Sequence, residues 1–163
     1  PCLSPQNAWN VLQGIETLSV RMEKHCSNAL KMVDYLLNHE SVAWVSHPSA
    51  PDNPDYELAK KLLPKGTGSM IAFGIKGGKE AGSAFINNVK LSSHLANVGD
   101  TRTLVIHPAS ATHSQMDEKT LKLANMSQDM IRLSVGIEDI EDIKNDFENG
   151  FRAAKKPRLV ANQ

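Results

Sequence analysis

One cation interrupts an apolar, alternating run: Arg132 in Met130-Ile-Arg-Leu-Ser-Val-Gly136. With a period of two, Ile131, Leu133 and Val135 share one side of a strand, and Met130, Arg132 and Ser134 share the other. A buried charge without a partner is very costly. The strand supplies no partner, and Asp129 is only a neighbour in sequence. The guanidinium must therefore meet either a distant carboxylate of this chain or the carboxylate of a ligand. A guanidinium grips a carboxylate with two parallel hydrogen bonds and fixes its plane, so the second alternative is a recognition chemistry.

A second group of polar residues falls at strand ends, a common place for ligand contacts. Asn97 closes the apolar stretch that starts at Ser93, and Thr112 and His113 follow the turn at Pro108-Ala109. Other patterns are weaker. Gly74-Ile-Lys-Gly-Gly-Lys79 stands between a strand and a helix, where phosphate loops sit, but it has the spacing of neither a P-loop nor a dinucleotide fingerprint. His94, His107 and His113 fit no zinc spacing, and no cysteine joins them. Ser110 and Ser114 flank His113, which is adjacency and not a triad.

These residues need elements to hold them. Ser4-Pro5 is a helix start, and apolar residues recur at three and four from Ala8 to Leu37. The pattern predicts one helix to about Asn38, roughly 50 Å long at 1.5 Å per residue. A compact chain of this size is about 40 Å across. One end of the helix, near Trp9, is then expected to project and pack on something else; a break at Gly14 is the alternative. Strands are predicted at Val42–Val45, Ser69–Ile75, Ser93–Val98, Thr103–His107 and around Arg132, with Gly99-Asp100 as the turn between the third and fourth. Helices are predicted at Tyr56–Leu63, Lys79–Lys90, Asp117–Asn125 and after Asp139, the last with Ile140, Ile143, Phe147 and Phe151 as its apolar face. Five strands and five helices imply an α/β sandwich, a helix layer on one sheet.

Composition narrows the classes of function. Eighteen basic and eighteen acidic side chains leave no net field to attract nucleic acid or an anionic membrane. The one basic cluster, Lys155-Lys-Pro-Arg158, reads as a solvated tail. Nothing approaches the roughly 20 apolar residues of a membrane span. Two cysteines, Cys2 and Cys26, make no disulfide framework, so a reducing cytoplasm is expected. Pro1 stands where an initiator Met would, as in a processed or excised piece.

Taken together, Asn97-Val-Gly-Asp-x-x-Thr-Leu104, His107-Pro-Ala-x-x-Thr-His113 and Arg132-Leu-Ser-Val-Gly-Ile-Glu-Asp139 resemble the C-terminal domain of the pyridoxal-phosphate (PLP) enzymes of cysteine and methionine metabolism. That family includes cystathionine synthases and lyases and methionine lyases. Pro1-Cys-Leu-Ser-Pro-x-Asn-Ala-Trp9, Leu12-Gln-Gly-Ile-Glu-Thr-Leu18 and Arg21-Met-Glu-Lys-His25 are similar to the O-acetylhomoserine sulfhydrylase branch. The likeness covers essentially the whole chain.

The resemblance implies the C-terminal domain of a fold-type I PLP enzyme: a small, mostly antiparallel sheet with helices on one face, preceded by a long interdomain helix. Residues 1–38 would be that helix, its start packing on an absent N-terminal PLP domain; 39–155 would be the small domain and 156–163 a tail. Arg132 would hold the α-carboxylate of the substrate. Asn97 falls where many relatives have a serine near substrate and cofactor, and asparagine there resembles the sulfhydrylases. Thr112 falls at an active-site threonine of some relatives. The family's Schiff-base lysine and phosphate contacts precede the stretch matched here, and none of this chain's lysines sits in that lysine's motif. PLP is thus expected in a full-length enzyme, with none bound covalently by this chain and no catalysis by it alone. The implied reaction is γ-replacement of the acetate of O-acetylhomoserine by sulfide or a thiol, in a homo-oligomer that is a tetramer in relatives. Two alternatives stand: the same domain of a methionine or cystathionine γ-lyase or synthase, and a non-catalytic ligand-binding or interaction module.

Overall fold

A computed structural model of the chain describes residues 2–109 and 127–155. Its elements are α1 (Pro5–Glu16), α2 (Leu18–Leu37), β1 (Val42–Ser46), α3 (Tyr56–Leu62), β2 (Met70–Ile75), α4 (Gly78–Ile86), β3 (Ser93–His94), β4 (Leu104–Ile106), β5 (Met130–Ser134) and α5 (Ile140–Lys155). The helix expected at 117–125 lies outside the described residues.

The first helix is two segments and not one. Ser4 Oγ accepts from the Asn7 amide at 3.2 Å and Pro5 opens the first turn, as the sequence predicts. The interruption falls at Thr17, with φ −103° and ψ 5°, and not at Gly14. Arg21 reaches back across it: Nη2 donates to the Gly14 carbonyl at 2.6 Å and Nε to Thr17 Oγ1 at 3.3 Å. A cationic cap on the Gly14 carbonyl offsets part of the cost of the break.

The sheet order is β1-β2-β5-β4-β3. β1, β2, β5 and β4 pair antiparallel, while β3 and β4 run parallel, Ser93 opposite Leu104 and His94 opposite Val105. Gly99-Asp100 is therefore not a hairpin turn but part of a loop that carries the chain back to start β4 in the same direction as β3. That loop takes over most of the predicted third strand, leaving two residues of it. α4 likewise ends at Ile86, short of Lys90.

Alternation along the strands decides the layers. Ile71, Phe73, Ile75, Val105, Ile131, Leu133 and Val135 face α2, α4 and α5 and form one core with Met32, Leu36, Phe85, Ile143, Phe147 and Phe151. Phe73, Phe85, Phe147 and Phe151 pack mutually, with centroids 4.9–6.3 Å apart. Burying one such ring contributes about 1.5–3 kcal/mol. Gly150 permits this: a β-carbon there would stand 2.6 Å from the Phe85 ring. Every residue of the predicted α5 face is buried. α1, by contrast, buries no residue, and Trp9, Val11, Leu12 and Ile15 are all more than half exposed. No helix of the described residues is long and apolar enough to cross a membrane.

Candidate functional site

Arg132 is the third residue of β5, between Ala72 of β2 and Ile106 of β4. Its neighbours Ile131 and Leu133 point into the core at 0% exposure, so the pleat sends Arg132 to the other face, where it is half-buried. Among the residues of the five strands it is the only lysine or arginine. No hydrogen bond or ion pair joins its guanidinium to another described residue. Asp129, the carboxylate next to it in sequence, is committed elsewhere: its Oδ2 accepts from the Trp44 indole N–H at 3.0 Å. That contact crosses directly over Gly74, where a β-carbon would lie 2.0 Å from Trp44 Nε1 and 2.3 Å from Asp129 Oδ2. Glycine here keeps the indole flat against the sheet on the face Arg132 shares.

The other predicted positions have different settings. Asn97 is not at a strand terminus; it sits three residues past β3 on an exposed loop, where its Oδ1 accepts from the Val98 amide at 2.8 Å. One strand, β4, separates β3 from β5, a lateral offset of roughly 10 Å. Thr112 and His113 lie outside the described residues. His107 belongs to the core face: it is fully buried, donates from Nε2 to the Gln128 carbonyl at 2.8 Å, and packs on α4 at Gly82, where a β-carbon would come within 2.6 Å of it. Burial lowers its pKa, opposed by the Gln128 carbonyl and helped by Lys79. His94 is exposed, and among the described residues no cluster of His, Cys, Asp or Glu could hold a metal ion.

The residues that sequence reasoning missed are those that hold the exit of β5. Thr103 is fully buried; its hydroxyl donates to Glu138 Oε2 at 2.8 Å and accepts from the Gly136 amide at 2.9 Å. Glu138 Oε1 accepts from the Thr103 amide at 2.6 Å. From α2, His25 Nδ1 donates to the Val135 carbonyl at 2.7 Å, and Asn28 Nδ2 donates to the Gly136 and Glu138 carbonyls at 3.1 and 2.9 Å. A β-carbon on Gly136 would meet Glu138 Oε2 at 2.1 Å and the backbone of Thr101 and Arg102 at 2.5 Å. Two of the sequence blocks are thus one physical unit. The signal that could have found it is the pair of polar residues, His25 and Asn28, one turn apart on a helix.

A surface groove of about 730 Å³, lined by Glu80, Ser83, Asn87 and Lys155 among others, runs between α4 and α5 on the opposite side of the sheet from Arg132. Four of the described lysines have partners elsewhere. Lys60, Lys144 and Lys155 pair with Glu57, Glu141 and Glu40, and the Lys76 ammonium donates to the Glu40 carbonyl. No lysine stands on a strand among the described residues.

Comparison with known proteins gives this arrangement a context. A family profile described as Cys/Met metabolism PLP-dependent enzyme matches residues 1–152. The chain is 52% identical over 151 residues to the O-acetyl-L-homoserine sulfhydrylase of Corynebacterium glutamicum, which covers 93% of this chain and 35% of that protein. It is 45% identical over 149 residues to the L-methionine gamma-lyase of Fusobacterium nucleatum, covering 91% of this chain and 38% of the other. Among solved structures, a Campylobacter jejuni protein assigned as an O-acetylhomoserine (thiol)-lyase, carrying a pyridoxyl-lysine phosphate, superposes with a TM-score of 0.84 at 38% identity. The superposition covers 92% of this chain and 36% of that one. The chain therefore spans little more than a third of the length of these relatives.

Proposed function

Since this chain belongs to the Cys/Met metabolism PLP-dependent enzyme family, we propose that it is the C-terminal, substrate-carboxylate-binding part of an O-acetylhomoserine sulfhydrylase. The reaction of the complete enzyme is then replacement of the γ-acetate of O-acetylhomoserine by sulfide or a thiol, giving homocysteine or methionine. The observation that carries this reading is Arg132: a half-buried residue, the single lysine or arginine of the five described strands, with no carboxylate of the described residues bound to it. The 52% identity to a sulfhydrylase supports the branch.

PLP, where bound, supplies an electron sink for the bond that breaks at the amino acid. This chain's contribution is orientation. A bidentate grip on the α-carboxylate fixes the plane of the amino acid, and a lysine, with one rotatable point charge, would not. In this reading Asn97 and Thr112 join Arg132 as polar contacts to the bound substrate. The exposed apolar side of α1 covers the N-terminal part of the enzyme, which makes residues 1–38 the junction between the two parts. On this reading the chain alone is inactive.

The test is made on the complete enzyme. O-acetylhomoserine with sulfide should yield homocysteine, and Arg132→Ala should raise KM for O-acetylhomoserine by a factor on the order of 10² or more, the scale of removing one partner of a desolvated charge pair. Unaltered kinetics in that variant would sink the assignment. The 45% identity to a methionine gamma-lyase favours a second reading in the same family. Consumption of methionine alone, with no homocysteine from O-acetylhomoserine and sulfide, would select it.

A further inference from the structure

α2 carries two polar side chains on its buried face, His25 and Asn28, each at 0% exposure. Apolar residues would pack there without hydrogen-bonding demands, so the pair calls for a specific role. All three of their donor bonds go to one four-residue segment: the carbonyls of Val135, Gly136 and Glu138. That segment is the exit of β5, beginning three residues after Arg132. Its amides are held as well, Val135 by the Ser69 carbonyl at 2.9 Å, Gly136 by Thr103 Oγ1 at 2.9 Å and Ile137 by the Thr101 carbonyl at 2.9 Å. The neighbouring strands fix Arg132 sideways through Ala72 and Ile106. The bonds from α2 add what sheet pairing lacks, a fixed position of the strand relative to the helix pair.

We infer that His25 and Asn28 are positioning residues for Arg132: they register the carboxylate-binding strand against α2, and through it against the exposed α1. This rests on the reading of Arg132 as the α-carboxylate anchor. A carbonyl only accepts, so His25 carries its proton on Nδ1, and the function of the ring is donation at that atom. A displacement of the strand by a fraction of an ångström misaligns a two-pronged bond while leaving the fold intact.

The experiment compares O-acetylhomoserine with its α-carboxamide analogue on the complete enzyme. Asn28→Ala and His25→Leu should each raise KM for the acid about tenfold, the scale of one or two lost hydrogen bonds, with kcat within about twofold. Neither should change KM for the amide. His25→Asn keeps a donor near Nδ1 and should restore the parent KM. In an Arg132→Ala background, Asn28→Ala should have no further effect on the acid. Equal losses on acid and amide, or losses that add to that of Arg132→Ala, would overturn the inference in favour of plain structural support. Should Asn28→Ala not fold, the His25→Leu and His25→Asn pair decides alone. An Arg132→Ala enzyme that still prefers the acid over the amide as the parent does overturns the carboxylate reading itself, a result distinct from any of these.

Discussion

Glu138 holds Thr103 twice, Oε1 on the amide at 2.6 Å and Oε2 on the hydroxyl at 2.8 Å, across 35 residues of sequence. The same hydroxyl accepts from Gly136. One buried threonine thus joins the start of β4 to the loop that leaves β5. Thr103→Val, which keeps the shape and removes the hydroxyl, strands an amide and half a carboxylate. It should cost about 2–4 kcal/mol in urea unfolding, with Thr103→Ser recovering most of the loss. Equal stability of the valine and serine variants would contradict this account.

Arg132 behaves oppositely. With no described partner, its removal costs no ion pair, and the stem is the only packing it contributes. Arg132→Met should leave unfolding stability within about 1 kcal/mol of the parent or raise it, because an unpaired half-buried cation adds nothing to the fold. A loss of several kcal/mol would mean that the guanidinium is bonded within the chain.

Asp146, 5% exposed, accepts three amides: Lys90 and Leu91 on Oδ1 at 2.6 and 3.0 Å, and Ser92 on Oδ2 at 2.9 Å. It secures the path from α4 into β3, which in turn carries Asn97. Asp146→Ala should cost about 2–4 kcal/mol, since three backbone donors, that of Ser92 buried, lose a charged acceptor together. Asp146→Asn keeps an acceptor oxygen for two of them and should cost about half as much. Chemical denaturation of both variants gives the ratio.

Acid should weaken the fold from neutral pH downward. His39, His47 and His107 all have pKa values below the usual histidine range, with burial the largest cause in each; Glu148 beside His39 opposes the effect in part. In the unfolded chain they bind protons near pH 6.5. Below that pH the unfolded state holds more protons than the folded one, so stability falls as pH drops through about 6.5 towards the folded values. Thermal midpoints measured between pH 8 and 5 should decline. A flat or rising midpoint would show these rings to be protonated in the native state.

Much of this was legible in the sequence because periodicity is a local property. The alternation around Arg132 gave its face and its setting on a strand, and Ile140, Ile143, Phe147 and Phe151 gave the buried side of α5. The misses have physical causes. Thr17 is unremarkable in a helical pattern, and the break there is stabilised by Arg21, a contact no propensity reports. Gly99-Asp100 has hairpin composition, yet Asp100 spends its carboxylate on Arg102, with Nη2 to Oδ2 at 3.2 Å, and the flanking strands run parallel. His25 and Asn28 look like a solvated side of α2 until the carbonyls more than 100 residues away are in place. For the candidate site, the sequence located the arginine but not the residues that hold its strand.

The lack of a partner for Arg132 among the described residues has an evolutionary reading. Gly136, Thr103 and Asp146 are held by the fold itself, so any descendant that still folds must retain them or compensate. Arg132 is under no such constraint. If Arg132 serves only a ligand, as proposed, then in a lineage that lost that ligand this codon would drift while the architecture persisted, and the arginine would separate working copies of the gene from decayed ones better than any of the residues that build the domain.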